Sequence, residues 1–220
     1  MNYFSHFYFD HLTGNHEYNT GLILPDFTRK WIKKRIPEKP DEINIHQQSF
    51  AGGWMRHHFS DKLFHASHFF EFHHSLLNEM MKKSDMSDDA ERKWFLAHVA
   101  FELLIDRMIV KYNRTSLDEF YYSLNNADRN SLTVFLNLQG MDNADDFFRI
   151  FDHFRTVQYI YYYTDNNKFV YSLNKIMLRA KLNELSAEDA FSVTEVIIDF
   201  ESKYLNDPKA TIRQIENIFR

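Results

Sequence analysis

Apolar positions recur at steps of three and four residues through most of this chain, the spacing that lines one face of an α-helix. The strongest run is 90–112. There Trp94, Leu96, Ala97, Ala100, Phe101, Leu103, Leu104, Ile105, Met108 and Ile109 make the segment apolar on nearly all sides, as expected of a helix central to a fold. The pattern predicts further helices at about 116–125, 127–138, 143–163, 167–184, 187–204 and 208–219, joined by short connections containing Asn, Asp or Gly. Upstream, residues 3–12 read as a short helix broken by Thr13, Gly14 and Asn15. Pro25 is placed to open a helix in the segment 21–35, and Pro37 and Pro40 mark a loop. From about Asp41 to Lys83 the pattern is helical, with an interruption predicted at Gly52-Gly53. The polar stretch Lys82 to Asp89 reads as a loop, in which Ser87 or Asp88 caps the next helix.

Composition sharpens the helical picture. Only five Gly and four Pro occur in 220 residues, too few for the corners of a turn-rich β fold. Hydrophobic residues make up 44% and aromatics 17%, enough for a substantial core. With no internal repeat, low-complexity tract or long linker, the expectation is an all-α protein, a single-domain multi-helix bundle over 1–220. The absence of Cys excludes disulfides, thiolate metal sites and a Cys nucleophile. A formal charge of −5 argues against a general nucleic-acid binder. The aromatic N-terminal stretch has no basic leader, and no run approaches the roughly 20 apolar residues that span a bilayer. A soluble cytoplasmic protein without membrane insertion is therefore expected.

Candidate chemistry enters with the histidines. Eleven of the twelve fall within the first 98 residues, several beside carboxylates at helical spacing. His57, Asp61, His65 and His68 fall within an arc of roughly 80° at 3.6 residues per turn. His98, Glu102 and Asp106 form a second row on the helix read as central. Two carboxylates stacked on a buried face repel each other and are costly to desolvate, and a divalent cation removes both problems. The competing structural reading pairs Glu102 and Asp106 with Arg92, Arg107 or a Lys of another helix. Neutral imidazole and carboxylate suit Mn, Fe or Zn. His58, His73 and His74 point elsewhere and read as bystanders. Two single residues are candidates to join the ligands, His6 in the aromatic N-terminal stretch and Asp26 after Pro25. Arg29, Lys30, Lys33, Lys34 and Arg35 put five basic residues in seven positions, close in sequence to Asp26, where they can hold a phosphate or an acidic partner. No glycine-rich phosphate loop, Gly-x-Ser-x-Gly elbow or His-Glu-x-x-His is present.

Several of these segments together resemble one family. The opening Met1-Asn2-Tyr3-Phe4-Ser5-His6-Phe7 is similar to the Met-Asn-Phe-Leu-Ala-His-Leu of the acyl carrier protein phosphodiesterases, all-helical relatives of the HD-domain metal phosphohydrolases. Gly21-Leu22-Ile23-Leu24-Pro25-Asp26-Phe27 resembles that family's Gly-Asn-Leu-Leu-Pro-Asp-Phe. His57-His58-Phe59-Ser60-Asp61, followed by His65 and His68, resembles its His-Arg-x-x-Asp segment with the Asp and His that follow, but has His58 for the Arg and His65 for the second Asp. The His98–Asp106 row stands where the family has an Asp-rich one, and Tyr163 to Arg179 is loosely similar to its C-terminal region.

The resemblance implies an HD-phosphohydrolase-like bundle that hydrolyses a phosphodiester, such as the phosphopantetheine linkage of holo-acyl carrier protein, with manganese. Iron and zinc are the alternative metals. On that reading His6, Asp26, His57, His65, His98 and Glu102 bind one or two cations, and Asp61 or Asp106 takes the proton. Arg29, Lys30, Lys33 and Arg56 steady the phosphate or dock an acidic carrier protein. Two other readings compete with it. One is a zinc-dependent phospholipase C-like hydrolase, suited to the aromatic richness. The other is a non-catalytic helical interaction protein with a degenerate site.

Overall fold

The segment read as central is a single uninterrupted helix, α6 (Ala90–Tyr112), in a computed structural model that describes residues 1–38, 44–87 and 90–220, the side chains of 90 and 91 excepted. Leu96, Ala97, Ala100, Phe101, Leu103, Leu104 and Ile109 on it are fully buried, whereas Trp94 is half exposed. The described residues form twelve α-helices and one 3-10 helix, with no strand, so the protein is all-α. No described helix is long and apolar enough to cross a membrane.

The chain divides into two compact units. The first comprises 1–63 and 113–159. It contains α1 (Tyr3–Asp10), α2 (His16–Gly21), α3 (Leu24–Thr28), most of α4 (Ile45–His65), α7 (Arg114–Asn126), α8 (Arg129–Leu138) and α9 (Asp145–Val157). Here α7 packs on α1 and α2, and α9 packs on α3 and α7. Aromatic rings fill the interior: Phe120 meets Phe4 and Phe7 at centroid distances of 5.7 and 5.3 Å, and Phe50 stacks on Phe135. Edge-to-face pairs of this kind add to the area that they bury.

The second unit comprises 64–112 and 160–220. It holds the last residues of α4, then α5 (His68–Lys83), α6, α10 (Asn166–Arg179), α11 (Ala187–Tyr204) and α12 (Pro208–Ile218). Helices α5, α10 and α12 pack against α6, and α11 packs on α5 and α10. Phe101 is the aromatic hub, in ring contact with Phe69, Phe70, His73 and Phe200. The loop before α6 is tied to α11 by Asp189, which accepts from both the backbone N–H and the hydroxyl of Ser87.

Four expectations are corrected by the structure. Helix α4 runs through Gly52-Gly53 without a break and stops instead at 66–67, which places His68 on the next helix. The glycines serve a helix crossing. A Cβ on Gly53 would run into the Tyr18 carbonyl oxygen and come within 2.8 Å of Leu22 N, so α2 lies directly on α4. Helix α2 itself was not foreseen. It is six residues long and capped by Asn15, whose side chain accepts from Tyr18 N–H. The helix expected over 143–163 ends at Val157, because Gln158 adopts a left-handed φ of 52°; the 3-10 helix Tyr159–Thr164 follows. Finally, α3 covers only Leu24–Thr28, so the basic run from Arg29 to Arg35 is not helical. The predicted positions of Pro40, Asp41 and the Asp88 cap lie outside the described residues.

Candidate metal-binding sites

Two sets of three side chains, one in each unit, bring ligand atoms to within 4.8 Å of one another: His6, Asp26 and His57, and separately His65, His98 and Glu102. Each set is two imidazoles and one carboxylate.

The first set draws one residue from each of three helices. His6 lies on α1 and is fully buried, and its ring stacks on His57 of α4 at 3.9 Å. Asp26, on α3, has a side chain one-third exposed, and its Oδ1 is 3.8 Å from His57 Nε2. The close α2–α4 crossing matters here. It brings Leu22, just after α2, against His57, whose Nδ1 is 2.7 Å from the Leu22 carbonyl oxygen. A carbonyl only accepts, so Nδ1 carries the proton, and in the neutral ring Nε2 presents its lone pair on the Asp26 side. A carbonyl on the far nitrogen of a histidine is the usual support for a metal-binding imidazole.

Asp61 borders this set. Its Oδ1 is 3.9 Å from His6 Nε2 and accepts from the Met1 amino group at 2.7 Å. His58, where the resembled family has Arg, supplies no cation. Burial, and then the adjacent His57, push its imidazole down to about 4. Among the residues expected to hold phosphate, Arg56 is engaged by Asp10, with Nη2 2.6 Å from the carboxylate of that almost fully buried residue. Arg29, Lys30 and Lys33 are exposed on the segment after α3. Lys33 donates to the Arg29 carbonyl, and the Lys30 ammonium lies over the Trp31 ring.

The second set joins the end of α4 to α6. His65 Nε2 is 2.8 Å and His98 Nε2 3.2 Å from the same oxygen, Glu102 Oε1. The two imidazoles lie nearly parallel, their centroids 5.0 Å apart. His98 and Glu102 are four residues apart and so project from one face of α6. Phe70, His74 and Trp94 surround the His98 ring. Burial raises the Glu102 carboxyl, but nearby positive charge and the hydrogen bonds from His65 and His98 outweigh it and hold the group well below its ordinary range. Glu102 is thus partnered by this pair of imidazoles. Arg107 instead pairs with Glu201, and Arg92 lies 3.6 Å from Asp189. Asp106, one turn beyond Glu102, is fully buried and belongs to neither set. His68 is exposed, and also outside both.

Comparison with protein-family models, curated proteins and solved structures finds no significant match for this chain.

Proposed function

We propose that the protein is a metal-dependent phosphohydrolase whose catalytic ion is held by His6, Asp26 and His57. One observation carries this reading: three donors from separate helices converge, with the His57 proton fixed on the nitrogen that faces away from the site. The likeness of the segments around His6, Asp26 and His57 to the acyl carrier protein phosphodiesterases adds the reaction class. A divalent ion bound there lowers the pKa of a water molecule and polarises a phosphoryl oxygen. The one-third exposure of Asp26 leaves the set open to solvent on one side. Asp61 is the carboxylate beside the ligands that is left to take a proton, because buried Asp106 has no exposed surface. Arg29, Lys30 and Lys33 offer positive charge close in sequence to Asp26, suited to a phosphate or to an acidic substrate such as holo-acyl carrier protein.

The test is hydrolysis of bis(p-nitrophenyl) phosphate and of holo-acyl carrier protein by metal-stripped protein given back Mn, Fe or Zn. Activity is expected to return with Mn and to fall by about 100-fold or more in Asp26→Asn, as losing an essential metal function does. Wild-type protein that stays inactive with all three ions would refute the reading. Release of a phospholipid headgroup without action on the carrier protein would reassign the substrate to lipid.

A further inference from the structure

We infer that His65, His98 and Glu102 form a separate binding site for a zinc-class divalent cation, with protein ligands on three sides and a remaining position for water or an exogenous anion. The inference goes beyond the proposed function, which needs only the ion at His6, Asp26 and His57. The family resemblance implies one or two cations shared over six ligands, with an Asp where His65 stands and an Asp-rich row where His98 to Asp106 stand; a separate site at these three residues rests on their geometry alone.

The geometry is close to that of a bound site. Ligands 2.0–2.1 Å from a tetrahedral zinc ion lie about 3.3 Å from one another. The Nε2 atoms of His65 and His98 are 2.8 and 3.2 Å from Glu102 Oε1, so each imidazole needs to part from that oxygen by only a few tenths of an ångström, and all three donors already lie within 4.8 Å of one another. Both imidazoles aim the same nitrogen at the same oxygen. In the absence of a cation each Nε2–H donates to Glu102; with one present, each Nε2 turns its lone pair to the ion and Nδ1 takes the proton. At His98 the exchange puts the proton on a buried Nδ1 that has no hydrogen-bond partner, a desolvation cost that the bound ion must offset.

Access and ligand type agree. The side chains of His65 and His98 are about one-quarter exposed, at 27% and 25%, and that of Glu102 is 15% exposed, so a hydrated ion reaches them without unfolding the helix pair. Two imidazoles and one carboxylate, with a position left open, are the protein ligands of many catalytic zinc sites. Imidazole donors favour Zn, Co, Ni and Fe over Mg and Ca, which prefer all-oxygen shells. The aromatic wall of Phe70 and Trp94 limits the number of further ligands.

The experiment is a zinc and cobalt titration of the metal-stripped full chain, read by calorimetry and by the visible absorption of bound Co, on wild type, His98→Gln, Glu102→Gln and Asp26→Asn. His98→Gln and Glu102→Gln are each expected to lose the same single equivalent of bound zinc, and its cobalt spectrum, while Asp26→Asn keeps both. Circular dichroism melts separate loss of the ligand from loss of the fold. If either variant does not fold, anomalous diffraction from zinc-soaked wild-type crystals decides, a peak within about 2.1 Å of His65 Nε2 and His98 Nε2 being expected. Zinc binding unchanged in both variants, or a peak at His6, Asp26 and His57 alone, overturns the inference while leaving the proposed function standing. Zinc at His65, His98 and Glu102 alone upholds it and removes the metal that the proposed function requires.

Discussion

Single atoms decide much of the first candidate site. The Leu22 carbonyl fixes the tautomer of His57, and it is in place because Gly21 and Gly53 let two backbones meet. Gly53→Ala is therefore expected to force α2 away from α4. Overpacking of this kind costs about 1–3 kcal/mol, and here the obstacle is backbone that cannot rotate aside. A lower urea midpoint together with weaker metal binding is the expected outcome; a variant as stable as wild type would show that the crossing has slack. His6, Asp26 and His57 were all legible as candidates, from residue type and motif. The Leu22 contact was not, because any residue supplies a carbonyl and its placement depends on a crossing that no side-chain pattern encodes.

At the scale of elements, helical periodicity located most helices and their buried faces, and it failed at the joins. The stripe His57, Asp61, His65 and His68 is continuous only on paper. Ser67 ends it by capping α5, accepting from the Phe70 N–H while donating to the Phe64 carbonyl. Ser67→Ala removes that cap and is expected to cost α5 about 1 kcal/mol, measured as a fall in melting temperature and as faster hydrogen exchange in the first turn of α5. Unchanged exchange there would mean that packing on α6 alone holds the turn. The stripe also misleads about sharing. Residues eight apart on a helix are displaced by about 12 Å along its axis, so His57 and His65 fall in different sets of donors, although both face the same way on a helical wheel. The glycine pair misled for a related reason, since glycine within a helix marks either a break or a close approach and only the partner element distinguishes them.

For the molecule as a whole, buried ionisable groups set the response to acid. Burial pushes the His73 imidazole below its ordinary 6.5, against the opposing pull of its hydrogen bond to the Phe69 carbonyl. The unfolded chain then binds the proton more readily, so this contribution to stability is complete above pH 6.5 and is lost as pH falls. Burial raises the Asp189 carboxyl, but the hydrogen bonds from Ser87 and the charge of Arg92 outweigh it and hold the group below its ordinary 3.8. That contribution is complete above pH 3.8 and is lost below it. Both terms run the same way, so stability is expected to decline in two stages on acidification, the first starting near pH 6.5. His73→Phe keeps the stack on Phe101 and is expected to flatten the first stage in urea denaturation between pH 8 and pH 5. An unaltered slope in that variant would assign the first stage to other groups.

By itself the sequence determined the all-helical class, the long central helix, and the pairing of imidazole with carboxylate as the chemistry worth seeking. These are local properties, set by side-chain periodicity, by the scarcity of Gly and Pro and by the absence of Cys. Only the tertiary structure sorted eight candidate ligands and bases into two three-ligand sets, left Asp61 beside one and buried Asp106 outside both, and gave Arg56 to Asp10. A helical wheel records the direction in which a side chain points. Which donors meet at one point depends on how far along each helix its neighbours cross, and that is fixed by packing between residues distant in the chain.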